Sequence, residues 1–173
     1  PADLRGWVGK NFRRDGLLIG AVGDVDQQEI SRLLDLALAG LKRKVVTPEV
    51  SKIMPTSTGS TTVIRKPNPQ SVVMFGMPGI MRDDPDYYAA YVMNYVLGGG
   101  GFTSRLYQEV REKRGLAYSV YSYIYPYENS AIYLGGLGTA NERVAESLEV
   151  VKAEIAKLAD SGISADELAK AKG

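Results

Sequence analysis

The hydrophobic period of this chain changes at Gly115, and that change limits what it can build. Upstream, Thr103 or Ser104 offers an N-cap for a helix running through Arg111 to about Arg114, with Gly115 as its C-terminal glycine. Downstream, Leu116–Tyr125 is rich in β-branched and aromatic residues, and Leu116, Tyr118, Val120 and Ile124 fall on one face of an extended segment. Glu128-Asn129 then turns the chain into Ala131–Leu137, which predicts a β-hairpin. A hairpin with one apolar face is stable only against another layer, so the helices on either side of it are its expected cover.

Those helices are well marked. Asp26 and Glu29 form a capping box before Ile30, Leu33, Leu34, Ala37, Leu38 and Leu41, which recur at helical spacing. Asp84-Pro85 precedes Tyr88, Tyr91, Val92, Tyr95 and Val96 in the same way. Thr139 and Glu142 read as a capping box ahead of the stripe Val144, Leu148, Val151, Ile155 and Leu158, and Ser164 with Glu167 opens a last helix. Further strands are expected at Gly16–Gly23, Thr62–Arg65 and Ser71–Met77, with a small polar loop over Pro55–Thr62 and a turn over Lys66–Gln70. Hairpins mixed with helix pairs predict an α+β fold of two layers, helices on one face of a mainly antiparallel sheet. At 173 residues without a linker or repeat, one domain over 1–173 is expected. The chain begins at Pro1 and stops inside a helical pattern, so it reads as a piece of a longer protein.

Several functions are excluded or disfavoured by residue type. There is no histidine, so a His-based zinc site or a serine nucleophile with a histidine base is absent from this chain. There is no cysteine for a thiolate metal site or nucleophile. A net charge of +1 gives no field for nucleic acid, and no apolar run is long enough to span a membrane. No metal or cofactor site is expected in this chain, and the compartment is left open.

Two glycine clusters invite ligand readings. Gly20-Ala21-Val22-Gly23-Asp24 fails the dinucleotide fingerprint because Leu18 stands where its first glycine is needed. Gly98-Gly99-Gly100-Gly101 before a helix resembles an anion cradle, but Arg105 stands in place of the P-loop lysine and the spacing is wrong. The residues alone make that run a loop that another backbone can approach. Arg105, Arg111, Lys113 and Arg114 form a basic cluster that reads as a solvated helix face, and most of the 11 tyrosines read as packing. On spacing alone Tyr118, on the face of Leu116 and Val120, belongs to the core and Arg111 to the surface.

Two blocks carry a resemblance. Leu97-Gly98-Gly99-Gly100-Gly101-Phe102-Thr103-Ser104-Arg105-Leu106 and Val110-Arg111-Glu112-Lys113-Arg114-Gly115-Leu116-Ala117-Tyr118-Ser119-Val120 resemble the C-terminal domain of the pitrilysin/insulinase family of zinc metallopeptidases, with the mitochondrial processing peptidase branch the most similar. Ile19–Asp24, Gln70-Ser71 and Met81–Tyr87 agree in order, so the match covers nearly the whole chain. The resemblance implies the processing-peptidase-like metallohydrolase fold and a place in a chamber where an extended peptide is cut. The HxxEH zinc motif of such proteins lies in their first half and is absent here, as the resemblance leads one to expect. Zinc would therefore come from an N-terminal half or a partner subunit, and this domain would not be catalytic alone.

The resemblance carries over an arginine and a tyrosine seven residues apart, here Arg111 and Tyr118, which in the family reach the substrate backbone near the scissile bond. An arginine offers five donors to peptide carbonyls, and a tyrosine hydroxyl can donate to a developing oxyanion. Gly98, Gly99, Gly100 and Gly101 match the position of a longer glycine-rich substrate loop and are further substrate-binding candidates. The alternatives are a structural subunit that keeps the fold without peptidase work, and a phosphate-binding module built on the glycine run.

Overall fold

The computed structural model describes residues 2–44, 49–56 and 59–172, which form two compact units, Pro1–Val50 and Ser51–Gly173. Residues 57 and 58 of the expected Pro55–Thr62 loop lie outside the described residues.

Among its described residues the first unit holds two helices, α1 (Ala2–Asn11), which the sequence patterns did not reveal, and α2 (Gln27–Leu38). The expected cap of α2 is present: the Asp26 carboxylate accepts from the Glu29 amide at 2.8 Å. The strand expected at Gly16–Gly23 does not form. Leu18 and Val22 are fully exposed there, and apart from an isolated bridge between Arg13 and Lys42 no ladder is present among the described residues of this unit. An apolar run becomes a strand only where a neighbour pairs with it.

The second unit is a three-stranded antiparallel sheet of β1 (Gln70–Pro78), β2 (Ala117–Pro126) and β3 (Ala131–Ala140), in the order β1-β3-β2. The hairpin is as expected, closed by the Tyr127 amide donating to the Ser130 carbonyl at 2.8 Å. Thr62–Arg65, expected as a strand, joins no ladder, and Val63 and Ile64 are exposed. One sheet face is covered by α3 (Tyr87–Asn94), by the helical stretch 95–112 and by α4 (Val144–Ser161), with α5 (Ala165–Lys172) after it. The α+β, helices-on-sheet architecture is thus the observed one. Its core joins Leu97, Leu106, Val110, Val120, Leu137 and Val151, each less than a tenth exposed.

Two buried polar ties fix the layers. Asn94 at the end of α3 and Ser122 of β2 bond reciprocally, Ser122 Oγ donating to Asn94 Oδ1 at 2.8 Å and Asn94 Nδ2 to the Ser122 carbonyl at 3.3 Å. Thr139 is no helix cap: it lies within β3, and its hydroxyl donates to the Leu116 carbonyl at 2.5 Å. Asp84 likewise caps a turn rather than α3, accepting from the Asp86 amide at 2.9 Å. Ser164 and Glu167 do form the expected capping box, the Ser164 amide donating to Glu167 Oε2 at 2.7 Å and the Glu167 amide to Ser164 Oγ at 3.2 Å.

The Glu167 carboxylate also receives a forked pair from Arg105, Nε to Oε1 at 2.6 Å and Nη2 to Oε2 at 2.8 Å, while Nη2 also reaches the Gly162 carbonyl at 2.9 Å. That guanidinium holds Glu167 at about 2, where an unperturbed glutamate titrates near 4.5. Because the folded value is the lower one, the pair stabilises fully above pH 4.5, and the contribution is lost as pH falls from 4.5 toward 2. Glu167→Gln is expected to cost roughly 1.5–3 kcal/mol at neutral pH. The gap between variant and parent should narrow as urea melts are repeated at decreasing pH below 4.5; a gap independent of pH would contradict this assignment.

Candidate functional site

Arg111 sits in the last turn of a helical segment, Tyr107–Glu112, whose hydrogen bonds span five residues. The helix ends in an αL glycine cap: the Gly115 amide donates to the Arg111 carbonyl at 2.8 Å, and the Leu116 amide reaches back to the Val110 carbonyl at 2.9 Å. Gly115 takes φ of +57°, which a residue with a Cβ adopts only under strain. Val110 and Leu116, both buried, supply the apolar contact that accompanies the motif. Within three residues of that turn the chain reaches Tyr118.

Tyr118 is not in the core. A β-bulge falls between Ala117 and Ser119, so that Ala117 pairs with Thr139 and Ser119 already with Gly138, leaving Tyr118 as the extra residue. Simple alternation would put it with Leu116 and Val120, which are 4% and 6% exposed; the bulge turns it out, and it is 79% exposed. The residue-by-residue reading of Tyr118 as core is therefore corrected by one inserted residue in the ladder.

The bulge brings the pair together. The Arg111 guanidinium carbon lies 5.1 Å from the centroid of the Tyr118 ring and 4.9 Å from that of Tyr107, so the cation sits against two aromatic rings. Tyr107 is itself buried and braced edge-on by Phe102 at 5.0 Å. Tyr107 was not singled out from sequence, although an aromatic residue four positions before an arginine on a helix is a readable signal. Arg111 and Tyr118 both line an open groove of about 450 Å³ whose wall also includes Gln70, Glu112, Thr139 and Arg143.

The basic cluster is not uniform. Arg105 is paired with Glu167, and Lys113 and Arg114 share the Glu109 carboxylate at 2.5 and 2.6 Å, which holds Glu109 below the usual carboxylate range, Lys113 contributing most. Among the described residues, the one carboxylate near Arg111 is that of the adjacent Glu112 at 3.8 Å, a loose contact. Of these four cations, Arg111 alone keeps its donors in the groove without a tight carboxylate.

The glycine run lies elsewhere and does not line the groove. Gly98 is buried, and a Cβ on it would stand 2.4 Å from Ser122 Oγ and 2.8 Å from the Ser122 amide nitrogen. A Cβ on Gly99 would meet Asn94 Nδ2 at 2.6 Å, and one on Gly100 the Tyr95 carbonyl oxygen at 2.7 Å. These three let the helical chain lie against β2 and itself. Gly101 differs, with φ of +58° and open space around it.

The tyrosines also divide against expectation. Tyr87, Tyr107 and Tyr133 are buried, and burial pushes the Tyr133 hydroxyl up, whereas Tyr88, Tyr91, Tyr123, Tyr125 and Tyr127 are exposed. Among the described residues no group of three or more carboxylates, histidines or cysteines is placed to hold a metal ion, and no helix is long and apolar enough to cross a membrane. The donor set does not fit zinc.

A family model described as the peptidase M16 inactive domain matches residues 1–173. The chain belongs to that family. A relative named as an uncharacterized zinc protease of Streptomyces coelicolor is 33% identical over 176 residues, covering 98% of this chain and 38% of that protein. A similarly named protein of Rickettsia felis is 27% identical, covering 96% of this chain and 39% of its own length. Among solved structures, a peptidase M16 inactive domain from Pseudomonas fluorescens superposes with a TM-score of 0.88 at 33% identity, covering 99% of this chain and 41% of that one. A protease from Helicobacter pylori gives 0.73 at 25% identity, covering 87% and 37%. The chain thus spans about two fifths of the length of the proteins it matches. The resemblance to a metal-free domain of the insulinase (M16) peptidases holds.

Two substitutions test this local account by chemical denaturation. Tyr118→Ala is expected to cost less than about 1 kcal/mol, the worth of an exposed ring and its cation contact. Gly98→Ala, in a packed position, is expected to cost about 2–3 kcal/mol. The reverse order would put Tyr118 in the core and Gly98 in a free loop.

Proposed function

We propose that this inactive domain is the substrate-holding part of a zinc metalloendopeptidase, similar to the processing-peptidase branch, and that it grips the backbone of an extended peptide through Arg111 and Tyr118. The zinc site would be supplied by another domain of the same protein or by a partner subunit, since the described residues hold no ligand set for the metal. The observation that carries the reading is the bulge at Ala117/Ser119, which exposes Tyr118 beside a guanidinium left without a tight partner. A bulge that re-aims one side chain into a groove is a device common beside active sites. The zinc-protease names of the relatives support the same reading.

The chemistry follows from the donors. Arg111, held against Tyr107 and Tyr118, loses little side-chain freedom on engaging a peptide carbonyl, so its planar fork orients the peptide at small entropic cost. The Tyr118 hydroxyl donates to the carbonyl oxygen of the bond being cut, a contact that strengthens as charge gathers there. Gly101, open and left-handed, is the one member of the glycine run kept as a direct contact for substrate, while Gly98–Gly100 support it by packing.

The test uses the full-length protein together with its zinc-bearing half. Tyr118→Phe is expected to lower kcat for peptide cleavage about 10²–10³-fold, as removal of one oxyanion donor does. Arg111→Ala is expected to raise KM as well. Cleavage unchanged in both variants would refute the proposal and favour a structural subunit.

A further inference from the structure

We propose that the groove containing Arg111 selects peptides bearing a carboxylate, with Arg143 as the specificity-determining second cation. This rests on the reading of Arg111 and Tyr118 as the peptide-contact pair and names the class of peptide they accept.

Arg143 stands 32 positions after Arg111 and lies between β3 and α4, yet both line the same groove with Tyr118. The two arginines are tied to one residue. The Gly115 amide bonds the Arg111 carbonyl at 2.8 Å, and Arg143 Nη1 donates to the Gly115 carbonyl, also at 2.8 Å. Arg143 is thereby anchored by one of its five donors, and the rest meet no side chain or carbonyl among the described residues.

The charge balance of the groove is lopsided. Its charged walls are Arg111, Arg143 and Glu112, and Glu112 reaches Arg111 only at 3.8 Å. Elsewhere in this unit Arg105, Lys113 and Arg114 are each matched by a carboxylate at 2.6 Å or less. Those three are the other cations of the helical stretch that carries Arg111 and of the turn after it. At the groove the fold leaves two guanidiniums without a tight anion, and guanidinium forks match carboxylates by geometry as well as charge. The occupant is therefore a peptide that brings its own anion, from an acidic side chain or from a free C-terminus.

The experiment titrates this chain with N-acetylated, Gln- and Ala-based peptides in three forms: neutral with a C-terminal amide, amidated with one Gln at a time replaced by Glu, and neutral with a free carboxyl terminus. Calorimetry is expected to show at least one carboxylate-bearing peptide binding about tenfold more tightly than the neutral one, with the advantage shrinking as salt is added. Whether the Glu series or the free terminus gains identifies the source of the carboxylate. Arg143→Gln is expected to remove the advantage, so that the carboxylate-bearing and neutral peptides bind alike.

Equal affinities throughout, no binding of any peptide, or an advantage that survives Arg143→Gln would overturn the inference. Cleavage of neutral peptides that depends on Arg111 and Tyr118 without any carboxylate advantage would sink it and leave the peptide-contact role standing. A carboxylate advantage in binding with no effect of the pair on cleavage would do the opposite.

Discussion

Gly115 holds φ at +57° with open space where a Cβ would sit, so conformation rather than crowding reserves the position for glycine. Four hydrogen bonds converge on this corner. The amides of Gly115 and Leu116 close the helix onto Arg111 and Val110, while the carbonyls of the same two residues accept from Arg143 and Thr139. The amides and carbonyls of Gly115 and Leu116 thus all have partners, and the angle between helix end and strand start is fixed from both sides. The bulge follows two residues later, so a rigid corner and one extra residue suffice to place Tyr118 beside Arg111.

The same corner explains why the neighbouring charges differ in kind. Glu109 takes Lys113 and Arg114, both C-terminal to it, and Glu167 reaches across from the last helix to take Arg105. Arg111 has its carbonyl taken by the glycine cap and its side chain held by two rings rather than by a tight anion. A ring contact orients a guanidinium without occupying its in-plane donors, whereas a carboxylate takes them. The arrangement keeps the cation positioned and available, which a stability role alone does not require.

Sequence patterns located the hairpin, the amphipathic helices and the caps at Asp26 and Ser164, because each depends on contacts within a few residues. They failed at Gly16–Gly23 and Thr62–Arg65, where strand formation depends on a neighbour that local composition does not reveal. Thr139 looked like a cap because Glu142 follows at the right spacing, but its true partner, the Leu116 carbonyl, is 23 residues away. The Gly98–Gly100 run looked like a loop for a ligand, and only the closeness of Ser122, Asn94 and Tyr95 shows that it is packing. For the site, periodicity alone placed Tyr118 in the core, since a bulge leaves no mark in the alternation. The long motif blocks pointed to Arg111 and Tyr118, which the fold brings side by side, but Tyr107 as a brace and Arg143 as a neighbour needed the tertiary structure.

The central claim is that the corner at Gly115 presents Arg111 and Tyr118 to a peptide. Its most direct measurement is NMR mapping of this chain with an added unlabelled peptide, following the Arg111 Nε signal, the Tyr118 ring and the amides of Gly138 and Ala140, which share the groove. The account predicts saturable shifts at all four that define one common Kd. Shifts confined to other faces, such as the apolar cleft between Met77 and Leu158, with these four unmoved, would contradict it.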